Sequence, residues 1–380
     1  MVRVLSDLRP VYVIGVGWHP YQYASETSYV ELGLKACRQA LDDAGLQFQC
    51  IDEAFVGTAC LGMAAGRNIF KHMGATGLPL MHIENASASG STAFRTACIN
   101  VAAGLSDSAL VLGVDKREHP YRANPGIPNL AEDAIVPFTH FALLSNQYTT
   151  KHGVSPEDVA RVAVKNHKNG SLNQNAQRQK ERSLDEVLGG KAISGVFTSL
   201  QCCPVGEGAA AVVVVSEDTL KAYNLDPAKA VRVLSSSAAS EAPQSSDAAL
   251  TKATIEKALL DAKISAQELD VMEFHDAFTI EELLYAEASG ICNEGQAIHM
   301  LKEGAFDIGG QVAISTSGGL IACGHPIGPT GVGQIGEIAL QLRGEAGARQ
   351  HKGPRGMPRY GLAHMVGLGS VCYAHVLRMD

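Results

Sequence analysis

The chain is predicted to be an α/β protein built from two similar units, and three observations carry that prediction. Its 380 residues exceed what one hydrophobic core comfortably organises. Short apolar runs alternate with stretches of helical period, an order that gives sheets covered by helices on both faces. The alternation runs twice, before and after a polar link at about residues 216–230, so a duplicated unit is expected.

In the first round, residues 11–16 read as a strand and 28–45 as a helix that ends at Gly45. Residues 52–58 and 78–83 are further strands. The small and apolar residues 93–105 form a buried helix, and 109–114 another buried strand. Pro120, Pro125, Pro128 and Pro137 then break regular structure. Ser155-Pro156-Glu157-Asp158 caps a helix, and residues 207–215 close the first half. The second round predicts strands at 231–236, 271–274, 312–315, 362–366 and 371–377. Its helices fall at 248–262, 279–288 and 329–342. Two mixed sheets with buried helices between them are expected.

Composition excludes several classes. Hydrophobic content of 46% with 18% charged residues describes a globular chain. A net charge of −8 gives no basic footprint for nucleic acid. The longest apolar run, residues 209–215, is far too short to span a bilayer. Nine cysteines at irregular spacing, with no C-x-x-C pair, make no metal pattern. An odd count without an export signal points to reduced thiols in the cytoplasm.

The stretch that organises the chain is Glu84-Asn85-Ala86-Ser87-Ala88-Ser89-Gly90-Ser91. It joins a strand to a buried helix through a turn small enough for a substrate to approach the backbone. A side chain there faces the positive helix end, which stabilises an anion or oxyanion. For a lone serine before a helix, an N-cap role is the ordinary reading.

This segment resembles the nucleophile segment of the thiolase superfamily, in its sterol-carrier-type and archaeal-type members (lipid-transfer-protein-like and acetyl-CoA acetyltransferase-like), where a Cys stands in place of Ser87. Glu273-Phe274-His275-Asp276-Ala277-Phe278 is similar to a second family motif. So are Gly318-Gly319-Leu320-Ile321-Ala322-Cys323-Gly324-His325-Pro326-Ile327-Gly328, Gly367-Leu368-Gly369, and Cys202-Cys203-Pro204. The likeness spans residues 11–377. It implies a thiolase fold, two βαβαβαββ halves forming a five-layer α-β-α-β-α sandwich. The halves would be 1–116 with 202–222, and 223–380, with 117–201 as an insertion covering the substrate.

The resemblance also implies chemistry. Ser87 takes the nucleophile's place. His325 would activate it and help bind one oxyanion, and His275 would hold an oxyanion-binding water. The backbone N–H groups of Ser87 and Gly367 would form the second oxyanion hole. Coenzyme A would be a substrate, with Lys165, Asn166 and Lys168 near its phosphates and Ser317 and Gly318 among its contacts; no metal is implied. Without the resemblance, residues 165–173 read as a solvated helix end. A homodimer or larger assembly is implied too, with the strand 109–114 at the contact, and the subgroup often pairs with a small zinc-ribbon/OB-fold protein.

Two departures stand out. Ser87 is either a substitution that silences a thiolase or the native group of an enzyme that works differently. The acid–base Cys is missing from its two usual places, held here by Ala277 and Met365. Cys323 beside His325 is either its substitute or a packing thiol. Three functions result: thiolase-type acyl transfer on a β-ketoacyl-CoA, retro-aldol cleavage of a β-hydroxyacyl-CoA, or an acyl-CoA-binding or lipid-binding module in a larger complex. In retro-aldolases of this fold, Tyr is expected where this chain has its two His.

Overall fold

The computed structural model describes residues 3–117, 137–243 and 246–380. Its strands are β1 (Val11–Gln22), β2 (Glu53–Gly57), β3 (Leu80–Ile83), β4 (Ser108–Asp115), β5 (Ala192–Ser194) and β6 (Phe197–Thr198). They continue as β7 (Glu207–Ser216), β8 (Val231–Ser240), β9 (Val271–Glu273), β10 (Ala313–Ile314), β11 (Tyr360–Gly367) and β12 (Val371–Arg378). The helices are α1 (Tyr29–Ala44), α2 (Ala65–Phe70), α3 (Ser89–Ala103), α4 (Pro137–His152), α5 (Pro156–Ser171) and α6 (Leu184–Leu188). After them come α7 (Glu217–Ala222), α8 (Asp247–Ala262), α9 (Thr279–Ala288), α10 (Ala297–Lys302), α11 (Gly319–Cys323) and α12 (Gly328–Arg343). The expected breaks at Pro120, Pro125 and Pro128 lie outside the described residues. Pro137 opens α4 instead of breaking structure, because a helix's first residue needs no N–H donor.

Caps explain the boundaries. The Ser28 hydroxyl accepts the Glu31 N–H at 3.2 Å, the Glu31 carboxylate accepts the Ser28 N–H at 2.9 Å, and Gly45 ends α1 at φ 70°. Strand alternation explains the layers. On β4, Ala109 and Val111 face a central core shared with α3 and α12, whereas Leu110, Leu112 and Val114 face α1. On β12, Leu377 faces the same central core, while Cys372, Ala374 and Val376 face α8 and α9. Three stacked cores thus separate five layers.

The duplication is explicit in the topology. Strands of the first half lie in the order β3-β2-β4-β7-β1, and those of the second in the order β10-β9-β11-β12-β8. Numbered within each half, both read third, second, fourth, fifth, first. The same neighbours are parallel and the same antiparallel.

Two expectations are corrected. The half-sheets are not hydrogen-bonded separately: Tyr12 pairs with Arg232 and Val13 with Val231, so one ladder runs through ten strands. Two edges with unpaired N–H and C=O groups meet there, before the sheets diverge around α3 and α12. The strand 109–114 does not lie at an outer contact either. β4 sits between β2 and β7 with all its residues buried within the chain, and β3 is the sheet edge.

Close approach of the two central helices requires glycine. A Cβ on Gly331 would stand 2.3 Å from Ser91 Oγ, and one on Gly90 would stand 2.4 Å from the Gly328 carbonyl oxygen. This seam brings the β3–α3 turn, which carries Ser87, against the turn before α12, which carries His325.

Candidate active site

The turn before α3 is braced on all sides. Ala86 takes a left-handed conformation at φ 49°. Ser89 Oγ accepts the Asn85 N–H at 2.8 Å and donates to the Ala86 carbonyl at 2.6 Å. The Asn85 amide donates to Thr92 Oγ1 at 3.2 Å and Tyr373 Oη at 3.1 Å. Ser87 is therefore not the N-cap; it is the half-buried residue that this turn presents.

Ser87 Oγ lies 3.0 Å from His325 Nε2, and His325 Nδ1 lies 2.9 Å from Thr330 Oγ1 in the first turn of α12. Thr330 accepting from Nδ1–H leaves the Nε2 lone pair for the serine hydroxyl. Burial, then the neighbouring His275 and Arg117, hold the His325 pKa well below the usual imidazole value, so the ring is neutral and able to accept a proton. The His275 ring stands edge-on to the His325 ring, with centroids 5.3 Å apart. His275 Nδ1 lies 3.3 Å from Glu281 Oε1, and its Nε2 is buried with no hydrogen-bond partner among the described residues.

Gly367 ends β11 directly behind the serine turn. A Cβ there would sit 2.5 Å from the Asn85 carbonyl oxygen and 3.2 Å from Ala88 Cβ, so a side chain would displace the turn itself. Cys323 is turned elsewhere. Its sulfur meets Asn173 Nδ2 at 3.8 Å, and the residue lines a pocket with Trp18, Tyr21, Glu273 and Glu337. Burial, then those two carboxylates, push the thiol far above its ordinary value, as suits a packing group. Ala277 and Met365 are both buried.

Four of the expected coenzyme A contacts are engaged within the chain. Lys165 and Asn166 face inward from α5. The Lys165 ammonium pairs with Glu282 at 3.1 Å and donates to the Ile314 carbonyl at 2.7 Å, and Asn166 Nδ2 donates to Asp276 at 2.6 Å. The reason is helical period: Val162, Lys165, Asn166 and Asn169 share the buried stripe of α5, and Lys168 falls outside it, exposed. Ser317 is buried with its hydroxyl donating to Glu273 at 2.6 Å. Gly318 packs on α5, where a Cβ would stand 2.7 Å from Gly170 Cα.

Several residues that hold the site had no sequence signal of their own. Asp276 accepts the Leu320 N–H at 2.7 Å, tying the His275 segment to the Gly-rich turn. A Cβ on Gly319 would overlap Asp276 at 2.1 Å, which explains glycine at that position. Asp115 accepts from Thr58 Oγ1 at 2.6 Å, the Cys60 N–H at 2.8 Å and the Gly328 N–H at 2.7 Å, joining β2, β4 and α12 at the site. Thr330 and Glu281 looked like ordinary helix-start residues.

A half-buried Ser–His pair between two duplicated β-α units, with a second, buried His beside it, defines a site for nucleophilic or enolate chemistry. Residues 19–183 match the description Thiolase, N-terminal domain, and residues 232–377 match Thiolase C-terminal domain-like. The chain is 36% identical to sterol carrier protein 2 of Gallus gallus, over 95% of this chain and 70% of that one. It is 30% identical to the benzoylsuccinyl-CoA thiolase subunit BbsB of Thauera aromatica, over 95% of each. Among solved structures, the Ltp2-ChsH2(DUF35) aldolase superposes with a TM-score of 0.84 at 19% identity, over 100% of this chain and 99% of that one, a likeness of fold. This chain belongs to the thiolase family. No group of three His, Cys, Asp or Glu among the described residues could hold a metal, and no helix among them is long and apolar enough to cross a membrane.

Proposed function

We propose that the chain is an acyl-CoA C-acyltransferase acting on a β-ketoacyl-CoA, with Ser87 as the nucleophile and His325 as its base. The observation that carries this reading is the 3.0 Å contact between Ser87 Oγ and a neutral His325 Nε2. His325 takes the hydroxyl proton as Oγ attacks the keto carbon. The Cα–Cβ bond breaks, leaving an ester on Ser87 and the enolate of the shortened thioester, which takes a proton. The thiol of coenzyme A then attacks the ester, its own proton replacing the one the enolate took, and the proton held on His325 returns to Ser87. Run backwards, the sequence is a Claisen condensation. The backbone N–H groups of Ser87 and Gly367 serve the thioester oxygen, and exposed Lys168 serves the phosphates.

The names of relatives support coenzyme A as a substrate, BbsB being named for a CoA-thioester thiolase. A homodimer, with a zinc-ribbon/OB-fold partner completing the coenzyme A site, is proposed with it. BbsB is named as a subunit, and the aldolase neighbour carries a two-component name. The cytoplasm is the proposed compartment, consistent with nine unpaired cysteines.

A second reading has its own observation. Buried Ala277 and Met365 offer no thiol acid–base, and a retro-aldolase on a β-hydroxyacyl-CoA needs no covalent nucleophile. Ser87→Ala and His325→Ala separate the two. Acyl transfer predicts that both variants fold and lose about 10²-fold or more in turnover, with an ester on Ser87 trapped by mass spectrometry in the parent chain. Retention of β-hydroxyacyl-CoA cleavage by Ser87→Ala, without added coenzyme A, gives the aldolase reading instead.

A further inference from the structure

Carbon–carbon chemistry beside a thioester needs a base for the proton on the α-carbon as well as a nucleophile. The need for such a base rests on the acyl-CoA reading of this site. His325 is committed on both nitrogens, to Ser87 and Thr330. Cys323 lines a pocket with Asn173, Glu273 and Glu337, and the Cys203 thiol is pushed far up, first by burial. Beside the pair, His275 Nε2 has no hydrogen-bond partner among the described residues, and the residue is 8% exposed.

What stands behind His275 gives the free atom its purpose. Glu281 Oε1 is 3.3 Å from His275 Nδ1 and also accepts the Tyr285 hydroxyl at 2.9 Å, and Oε2 accepts the Phe278 N–H at 2.9 Å. A carboxylate clamped on Nδ1 selects the tautomer whose lone pair lies on Nε2, and stabilises the imidazolium that forms when Nε2 takes a proton. In the tautomer held this way, Nε2 accepts and does not donate. An oxyanion would gain a donor from it only after protonation.

We propose that His275 is the catalytic acid–base for the α-carbon of the bound thioester, and that Glu281 is its positioning residue. Nε2 takes the α-proton, and the C–H electron pair becomes the enolate. The imidazolium is neutralised by the Glu281 carboxylate. In the cleavage direction an imidazolium protonated by the coenzyme A thiol of the preceding turnover gives its proton to the enolate released when Cα–Cβ breaks, so no further reactant is consumed. The titratable groups facing His275 are Glu281 from α9, His325 from the turn before α12, and His364 from β11.

The test is exchange of the α-protons of acetyl-CoA into deuterium oxide, monitored by NMR with the full chain. The parent chain exchanges, and His275→Gln lowers the rate about 10²-fold or more. Glu281→Gln lowers it less and moves the acid limb of the pH profile down, because loss of the anion weakens the imidazolium. A purely structural Glu281 leaves that limb in place, and this readout decides the matter if His275→Gln does not fold. Parent-like exchange by folded His275→Gln overturns the proposal and leaves the acyl-CoA reading standing. A parent chain that neither exchanges nor cleaves any coenzyme A thioester overturns both.

Discussion

The two halves of the molecule share one strand order but contribute to the site in different ways. In the N-terminal half, β4 and β7 bury uninterrupted runs of Ala, Val and Leu, and the half delivers one reactive atom, Ser87 Oγ. In the C-terminal half, β9 and β10 have only three and two residues. Their connections are held by buried polar groups: Glu273, Asp276, Glu281, Glu282 and Thr316. That half delivers both histidines. Ser87 and His325 stand at equivalent turns, each after the third strand of its half, and meet across the seam. The β2 turn presents Thr58, bound to Asp115, where the equivalent β9 connection presents His275, bound to Glu281. The serine turn is held by neutral hydrogen bonds among Ser89, Asn85, Thr92 and Tyr373, whereas buried His275 has a carboxylate behind it.

This contrast is most exposed to test at Lys165. Its ammonium, reaching in from α5, is the cation paired with Glu282 in the C-terminal network. Lys165→Ala leaves that carboxylate buried without its charge partner and is expected to cost about 3–5 kcal/mol in urea denaturation. A loss below about 1 kcal/mol would show that the network does not hold the half together.

The N-terminal half has its own buried carboxylate, and there pH is the probe. Burial raises the Asp115 pKa to about 6, against the hydrogen bonds from Thr58, Cys60, Gly328 and Ala59 that lower it. A raised carboxyl contributes stability that is fully present below its unfolded pKa of about 4 and is lost as pH rises through about 6. Asp115→Asn removes that loss, up to about 1.4 kcal/mol per pH unit. The variant is destabilised overall, with one acceptor oxygen left for several donors, but its stability should rise more steeply with pH between about 4 and 6 than the parent's. Parallel slopes in pH-dependent denaturation would contradict the assignment.

The smallest effect is expected at Lys168, on the same helix as Lys165 but exposed. Lys168→Ala should change stability by no more than about 0.5 kcal/mol. If the ammonium meets a coenzyme A phosphate, KM rises roughly two- to five-fold while kcat stays, the size of an exposed charge pair. An unchanged KM removes Lys168 from the binding site.

The elements and their repetition were legible in the chain alone, because apolar period and turn chemistry are local signals. Those signals placed α1 between Ser28 and Gly45 and α9 from Thr279, and the motifs singled out Ser87, His275 and His325. Lys165 and Asn166 were misjudged, although their i, i+3 and i, i+4 spacing from Val162 already put them on the buried stripe of α5. The partners came from the folded chain: Thr330 for His325, Glu281 for His275, Asp276 for the Gly-rich turn, and β8 for β1. Contacts such as Asp276 to Leu320, 44 residues apart, leave no periodic trace in a chain. A carboxylate three residues into a helix reads as a cap whether it meets a backbone N–H or a catalytic imidazole, and the approach of distant segments settles which.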